Sequence, residues 1–164
     1  MLIPAPVQTT YIRYITPGQN GMLADETNWA SDTRIVETVA GIGFGLGVSQ
    51  GTNDNGCIIG GSAYVGVTRA DPTLARADLA PATSPGIDTY SKGDNAGVLT
   101  MGDIWVNCYA SVTPATASVT FEASTGKLGI AGTTIPNARW MTTAVGTASV
   151  PALAVLRLGN ISGK

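Results

Sequence analysis

The chain has 164 residues, with 9 Lys and Arg against 11 Asp and Glu, for a formal charge of −2. That length suits one domain with a sizeable core of its own, and the lack of any Lys/Arg block excludes the electrostatic footprint of a nucleic-acid binder. Charged residues make up only 12% of the chain against 44% hydrophobic, with 21 Gly and 9 Pro; so little Glu, Lys and Arg leaves few exposed helices, favours β structure, and marks a surface that other protein covers in part.

The first 17 residues combine Pro4, Pro6 and Pro17 with the alternating stretch TTYIRYIT, which predicts an extended arm rather than a helix. Tyr11, Ile12, Tyr14 and Ile15 make this arm too apolar to float in water, so it is expected to lie on its own domain or on a neighbour. The amino terminus shows neither a basic leader nor an apolar stretch of signal-peptide length, and no run approaches transmembrane length, which leads us to expect synthesis in a cytosol and no membrane partner.

After a turn at Asn20 and Gly21, TRIVETVAG alternates as a strand and runs into GIGFGLGV, where Gly41, Gly43, Gly45 and Gly47 alternate with Ile42, Phe44, Leu46 and Val48. The pattern is GxGxGxG rather than GxGxxG, with no helix after it and no acid at the ribose position, so a dinucleotide cofactor is not expected. The reading is a strand with one bare face, onto which a backbone or a bulky ring comes close. NDNG at 53–56 predicts a hairpin turn and lacks the remaining ligands of a calcium loop. AYVGVTR reads as a strand. In DPTLARADLAPATSPG, Asp71 as N-cap and Pro72 at the first helical position start a helix that Pro81 and Pro85 limit to one or two turns. Further strands are expected in NAGVLT, LTMGDIWVNC, ASVTFEA, GKLGIA and SVPALAVLRL, with Pro151 at an edge or strand start.

LTMGDIWVNC, continued through YASV, places Ile104, Val106, Cys108, Ala110 and Val112 on one side and Asp103, Trp105, Asn107, Tyr109 and Ser111 on the other. The first side is a core face. The second mixes acids and amides with large rings, the composition of an interface in which rings anchor and polar groups set register. The whole pattern predicts an all-β fold, a compact antiparallel sandwich or barrel-like domain over residues 18–164 with the arm at 1–17 and at most one short helix.

The chain has no histidine, which removes Ser-His and Cys-His nucleophiles, the common zinc sites and the ordinary neutral-pH base. The acids sit mostly in turns, and neither Cys57 nor Cys108 has a basic neighbour in sequence to activate it. The two cysteines either pair or pack as small apolar residues, the latter being favoured in a reducing compartment. No catalytic, metal or cofactor site is expected, and no small-molecule substrate. The expected contact residues are Tyr11, Tyr14, Gly43, Gly45, Gly47, Trp105 and Tyr109.

The ordered set PGQNGMLAD, TRIVETVAGIGFGLGVSQGT, YVGVTRADPTL, YSKGDNAGVLTMGDIWVNC, EASTGKL and IPNARWMTTA leading into ALAVLRL resembles the tailed-bacteriophage structural cement proteins, or capsid decoration proteins, of the Gp24-like family. The glycine alternation at 41–47 and GCIIGGS at 56–62 depart from that pattern. The resemblance implies a non-enzymatic virion component: a β domain, expected to be a homotrimer, on the outer surface of an icosahedral head, bridging major capsid protein subunits. The rival reading is a carbohydrate-binding β module of a virion, in which Trp29, Trp105 or Trp140 stacks on sugars. A carboxylate hydrolase is the third and least supported.

Overall fold

A computed structural model describes residues 18–73 and 88–159. Among them are thirteen strands and no helix: β1 (Ala30–Val36), β2 (Ile42–Gly43), β3 (Gly47–Gln50), β4 (Gly56–Ile59), β5 (Tyr64–Thr68), β6 (Thr89–Tyr90), β7 (Asn95–Cys108), β8 (Ser111–Val112), β9 (Thr120–Phe121), β10 (Thr133–Thr134), β11 (Arg139–Trp140), β12 (Ala144–Val145) and β13 (Ala152–Leu158). The expected arm at 1–17, with Tyr11 and Tyr14, lies outside the described residues, as does most of the expected short helix. At the start of that segment Asp71 accepts hydrogen bonds from the Thr73 amide and hydroxyl, the contact expected of an N-cap side chain.

The expected barrel-like fold is present. Strands pair in the order β1-β4-β3-β5-β7, and β7 returns to β1, closing a five-stranded barrel. Pairings between named strands are antiparallel except β1–β4, which run parallel with Ile35 opposite Gly56 and Val36 opposite Cys57. Closure leaves none of these five strands with a fully open edge along the barrel, which suits a chain with few charges to guard one.

The barrel interior takes a residue from every wall: Val36 of β1, Val48 of β3, Cys57 of β4, and Ala96 and Val98 of β7 are buried, with Val65 of β5 packed against them. Phe44 and Tyr90 join this cluster edge to face, with ring centroids 5.2 Å apart. The Tyr90 hydroxyl donates to the Arg69 carbonyl at 2.9 Å, so the ring is buried without an orphaned polar end.

The 14-residue strand β7 is the spine of the molecule. Its first half lies between β1 and β5, and its second half pairs with β13 from Gly102–Leu158 to Cys108–Ala152. A second core grows on the inner face of that half, where Ile104, Val106 and Cys108 meet Leu156, Leu158, Phe121, Leu128 and Trp140. Three two-stranded sheets, β9–β10, β8–β12 and β2–β6, complete the fold.

Expectations about local structure change at several points. NAGVLT and LTMGDIWVNC, read as two strands, are the single strand β7; ASVTFEA is a strand only at Thr120–Phe121; and the strand in TRIVETVAG ends at Val36. GIGFGLGV is broken rather than continuous, because Gly41 and Gly45 take positive φ (79° and 65°) and the chain turns between β2 and β3. Close approach to its glycines does occur, but the partners belong to the same chain: the Phe121 ring lies on Gly47, and the Asn20 side chain on Gly45. The strand from Leu99 does not continue through YASV, since β7 ends at Cys108, Tyr109 and Ala110 form a bend, and β8 begins at Ser111. GKLGIA contributes bridges from Leu128 to Phe121 and Cys108 rather than a strand of its own.

The hairpin at 53–56 is present, joining β3 to β4. Its anchor is a residue that composition did not single out. The Glu37 carboxylate accepts from the amides of Thr52 (2.7 Å) and Asn53 (2.9 Å) and from the Asn53 side chain (2.7 Å). The two backbone donors, first Thr52 and then Asn53, hold the Glu37 pKa below its ordinary value.

Candidate interaction surface

The outward face of β7 and β13 is a ladder of facing residues: Asp103 with Arg157, Trp105 with Val155, and Asn107 with Leu153. Residues two apart in a strand share a face, so this ladder follows directly from the alternation in GDIWVNC. Asp103 is buried, at 8% exposure, and satisfied by a two-pronged ion pair, with Arg157 Nε 2.6 Å from Oδ1 and Nη2 2.5 Å from Oδ2. These bonds raise the Arg157 pKa further above its ordinary value.

Trp105 sits in the middle of this ladder, partly covered by the chain's own Gly18, where a Cβ would collide with the indole. From there residues 21–24 run along β7: the Gly21 amide donates to the Trp105 carbonyl (2.7 Å), the Trp105 amide to Met22 (2.8 Å) and the Ala24 amide to Asp103 (2.8 Å). Asn20 pins the strip at its other side, accepting from the Asn107 amide (2.8 Å) and donating to the Phe44 carbonyl (2.6 Å). A ring among polar neighbours is thus explained in part by an intramolecular cover.

Beyond this cover the ladder opens. Asn107, Tyr109 and Leu153, with Pro151, line one side of a cleft of about 1060 Å³ whose other walls are Gly18–Leu23, Gly43, Phe44, Leu46, Arg69, Ala70 and Asp88. Lys127 Nζ lies 4.8 Å from the centre of the Tyr109 ring. Among the described residues the cleft's charged lining is Glu26, Arg69 and Asp88, and the Arg69 guanidinium stands 4.7 Å over the Trp29 ring.

The sequence-predicted contact residues therefore separate. Gly43 and Tyr109 line the cleft, Trp105 lies under Gly18, and Gly45 and Gly47 are buried against their own chain. Of the three indoles considered for sugar stacking, Trp140 is buried in the second core, Trp105 carries Gly18 and Trp29 carries Arg69.

A second surface was not singled out by the aromatic pattern. Residues 109–121 and 140–156 contain no charged side chain, and β8 pairs with β12 so that the two stretches share a margin. On it Val145 is 78% and Val150 69% exposed. The turn between them is fixed by the Thr147 amide donating to the Val150 carbonyl (2.8 Å) and the Val150 amide to the Thr147 hydroxyl (3.1 Å). Its signal in the sequence was the length of the two charge-free runs, not any motif.

Both cysteines are free and buried, and burial pushes Cys57 up to about 11 and Cys108 above its ordinary value. The packing role expected for them holds, and their thiols are poor nucleophiles. Among the described residues no three His, Cys, Asp or Glu side chains gather to hold a metal ion.

A closed mixed barrel with a covered aromatic ladder and charge-free margins is a scaffold for contact, and the family agrees. The chain belongs to the phage structural cement proteins: the family model described as "Structural cement protein (E217 gp24/Pam3 gp6)" matches residues 7–159. It is a phage capsid cement protein, a component of the virion. Among solved structures it is similar to a chain of "The capsid of Myoviridae Phage XM1", at 13% identity and a TM-score of 0.63, over 92% of this chain and 95% of that one. At that identity the likeness is one of fold. No curated protein shows significant similarity to the chain.

Proposed function

We propose that the protein binds the outer surface of an assembled head as a homotrimer and bridges major capsid protein subunits without catalysing a reaction. The observation that carries this reading is the charge-free margin of β8 and β12, which exposes Val145 and Val150 on a turn fixed by its own hydrogen bonds. Exposed valines on a preformed turn gain free energy when covered and lose little conformational entropy in doing so.

Stabilisation then follows from mass action: a ligand that binds the assembled lattice better than free subunits shifts the equilibrium toward the lattice. Three copies in one particle multiply modest contacts through effective concentration, so no single contact need be tight. Gly43 and Tyr109 belong to the contact surface in this reading, at the cleft that borders Pro151.

The test is sedimentation of purified protein with matched undecorated heads. Saturable co-sedimentation is expected, and Val145→Asp with Val150→Asp is expected to weaken it by about tenfold or more while leaving the unfolding temperature within a few degrees. Unchanged attachment in the double variant overturns the assignment of this margin.

A further inference from the structure

We propose that Asn55 is a site of spontaneous covalent modification: its side chain cyclises onto the Gly56 nitrogen and hydrolyses to aspartate or isoaspartate, at a rate governed by the clasp that Glu37 and Gln50 place on the turn. This chemistry is independent of how the protein attaches to heads.

The chain has two Asn-Gly steps, Asn20-Gly21 and Asn55-Gly56. Glycine after asparagine favours the reaction because no Cβ shields the attacking nitrogen and the backbone reaches the closing conformation freely. The Gly56 nitrogen forms a bond to Asn55 Cγ, the bond from Cγ to Nδ2 breaks, and Nδ2 leaves as ammonia with the proton that the Gly56 nitrogen gives up. Water then opens the cyclic imide at either carbonyl. One opening gives aspartate. The other gives isoaspartate, in which the main chain runs through the former side chain and gains a methylene.

The fold treats the two steps differently. Asn20 is half-buried and its carboxamide is held at both ends, with Oδ1 accepting from the Asn107 amide (2.8 Å) and Nδ2 donating to the Phe44 carbonyl (2.6 Å), while the Gly21 nitrogen donates to the Trp105 carbonyl (2.7 Å). Ring closure there needs all of these bonds broken together. Asn55 is exposed, and among the described residues its side chain makes no hydrogen bond. Only the Gly56 nitrogen is engaged, donating to the Asn53 carbonyl (2.9 Å). That carbonyl also accepts from Gln50 Nε2 (2.7 Å), so release of Gly56 leaves it paired. One bond in an exposed turn opens far more often than several coupled ones.

The clasp limits that opening. Glu37 holds the amides of Thr52 and Asn53, and Gln50, itself fixed by Arg34 Nη1 on its Oε1 (2.7 Å), reaches the carbonyls of Asn53 and Asp54. The product acts on a seam of the barrel. The Asn55 carbonyl accepts from the Ile35 amide (2.9 Å), beside the Ile35–Gly56 pair of the parallel β1–β4 register, and an added methylene displaces that carbonyl.

The test keeps the full chain folded in mildly alkaline buffer at body temperature for weeks, with peptide mass spectrometry reading the amide-to-acid gain at positions 20 and 55. Conversion at Asn55 is expected to run at least about tenfold faster than at Asn20, with isoaspartate among the products, and the two rates are expected to agree within about twofold in denaturant. Equal rates in the folded protein, or a folded Asn55 that stays intact while the denatured chain reacts, overturn the proposal. Glu37→Gln is expected to speed Asn55 by about threefold and leave Asn20 unchanged; no acceleration overturns the clasp as the gate. In isoaspartate-enriched protein, faster exchange of the Ile35 amide is expected, and unchanged exchange overturns the assigned effect on the β1–β4 seam.

Discussion

The two halves of β7 make opposite use of the same alternation. Between Asn95 and Met101 the strand is held on both edges by β1 and β5, and Ala96 and Val98 fill the barrel. Between Asp103 and Cys108 one face still enters a core, through Ile104, Val106 and Cys108, but the other carries an ion pair and an indole beside the 18–24 strip and an amide, Asn107, toward the cleft. The difference teaches that a face mixing rings with polar groups need not be either core or open interface. Here it is covered where Gly18 meets Trp105 and open where Tyr109 lines the cleft.

The comparison breaks most severely at the inner face. Ile104 is fully buried in the second core, and Ile104→Ala is expected to cost about 3 kcal/mol in chemical denaturation. Trp105→Ala comes next: removal of the ring leaves the 18–24 strip without its support, with an expected loss of about 2 kcal/mol and faster amide exchange at Gly21 and Ala24. Tyr109→Ala sharpens the contrast between the ladder and the bend that follows it, because this half-buried ring costs the fold only about 1 kcal/mol, while attachment to heads is expected to fall by about tenfold. If the Trp105 and Tyr109 variants lose stability equally and attachment not at all, the division into covered and open parts of the ladder is wrong.

The smallest effect lies far from β7, in the turn anchored by Glu37. Its pKa is lowered by the amides it accepts from, so its contribution is present above the ordinary carboxylate value of 4.5 and is lost as pH falls through the folded value. Wild-type protein is therefore expected to melt slightly above Glu37→Gln at pH 7, and the two melting curves should converge as pH falls through the folded value. A gap that stays the same from neutral pH into acid contradicts the hydrogen-bonded carboxylate as its cause.

Much of this was legible from the residues because the signals were local. Alternation marked β1 and the second half of β7, β-rich runs marked β5 and β13, Asn-Gly marked the β3–β4 hairpin, and Pro151 marked the start of β13; that NAGVLT and LTMGDIWVNC join into one strand was not read. The glycine run misled for a physical reason: alternation of glycine with apolar residues is compatible both with a flat strand and with a turn, and positive φ at Gly41 and Gly45 selects the turn. The parallel pairing of β1 with β4 and the closure of β1 on β7 depend on contacts distant in sequence, which no short window encodes. Of the proposed contact surface, Tyr109 was visible as a ring out of place, whereas the Val145–Val150 turn was not, because single valines in a loop are unremarkable until their neighbours are known to be uncharged.

The most direct measurement of the central idea is the temperature at which undecorated heads lose their DNA, recorded with and without saturating protein. An upward shift that tracks occupancy, and that disappears with the Val145→Asp, Val150→Asp variant, is what a clamp on the assembled lattice produces. Heads that bind the protein to saturation yet open at an unchanged temperature contradict it.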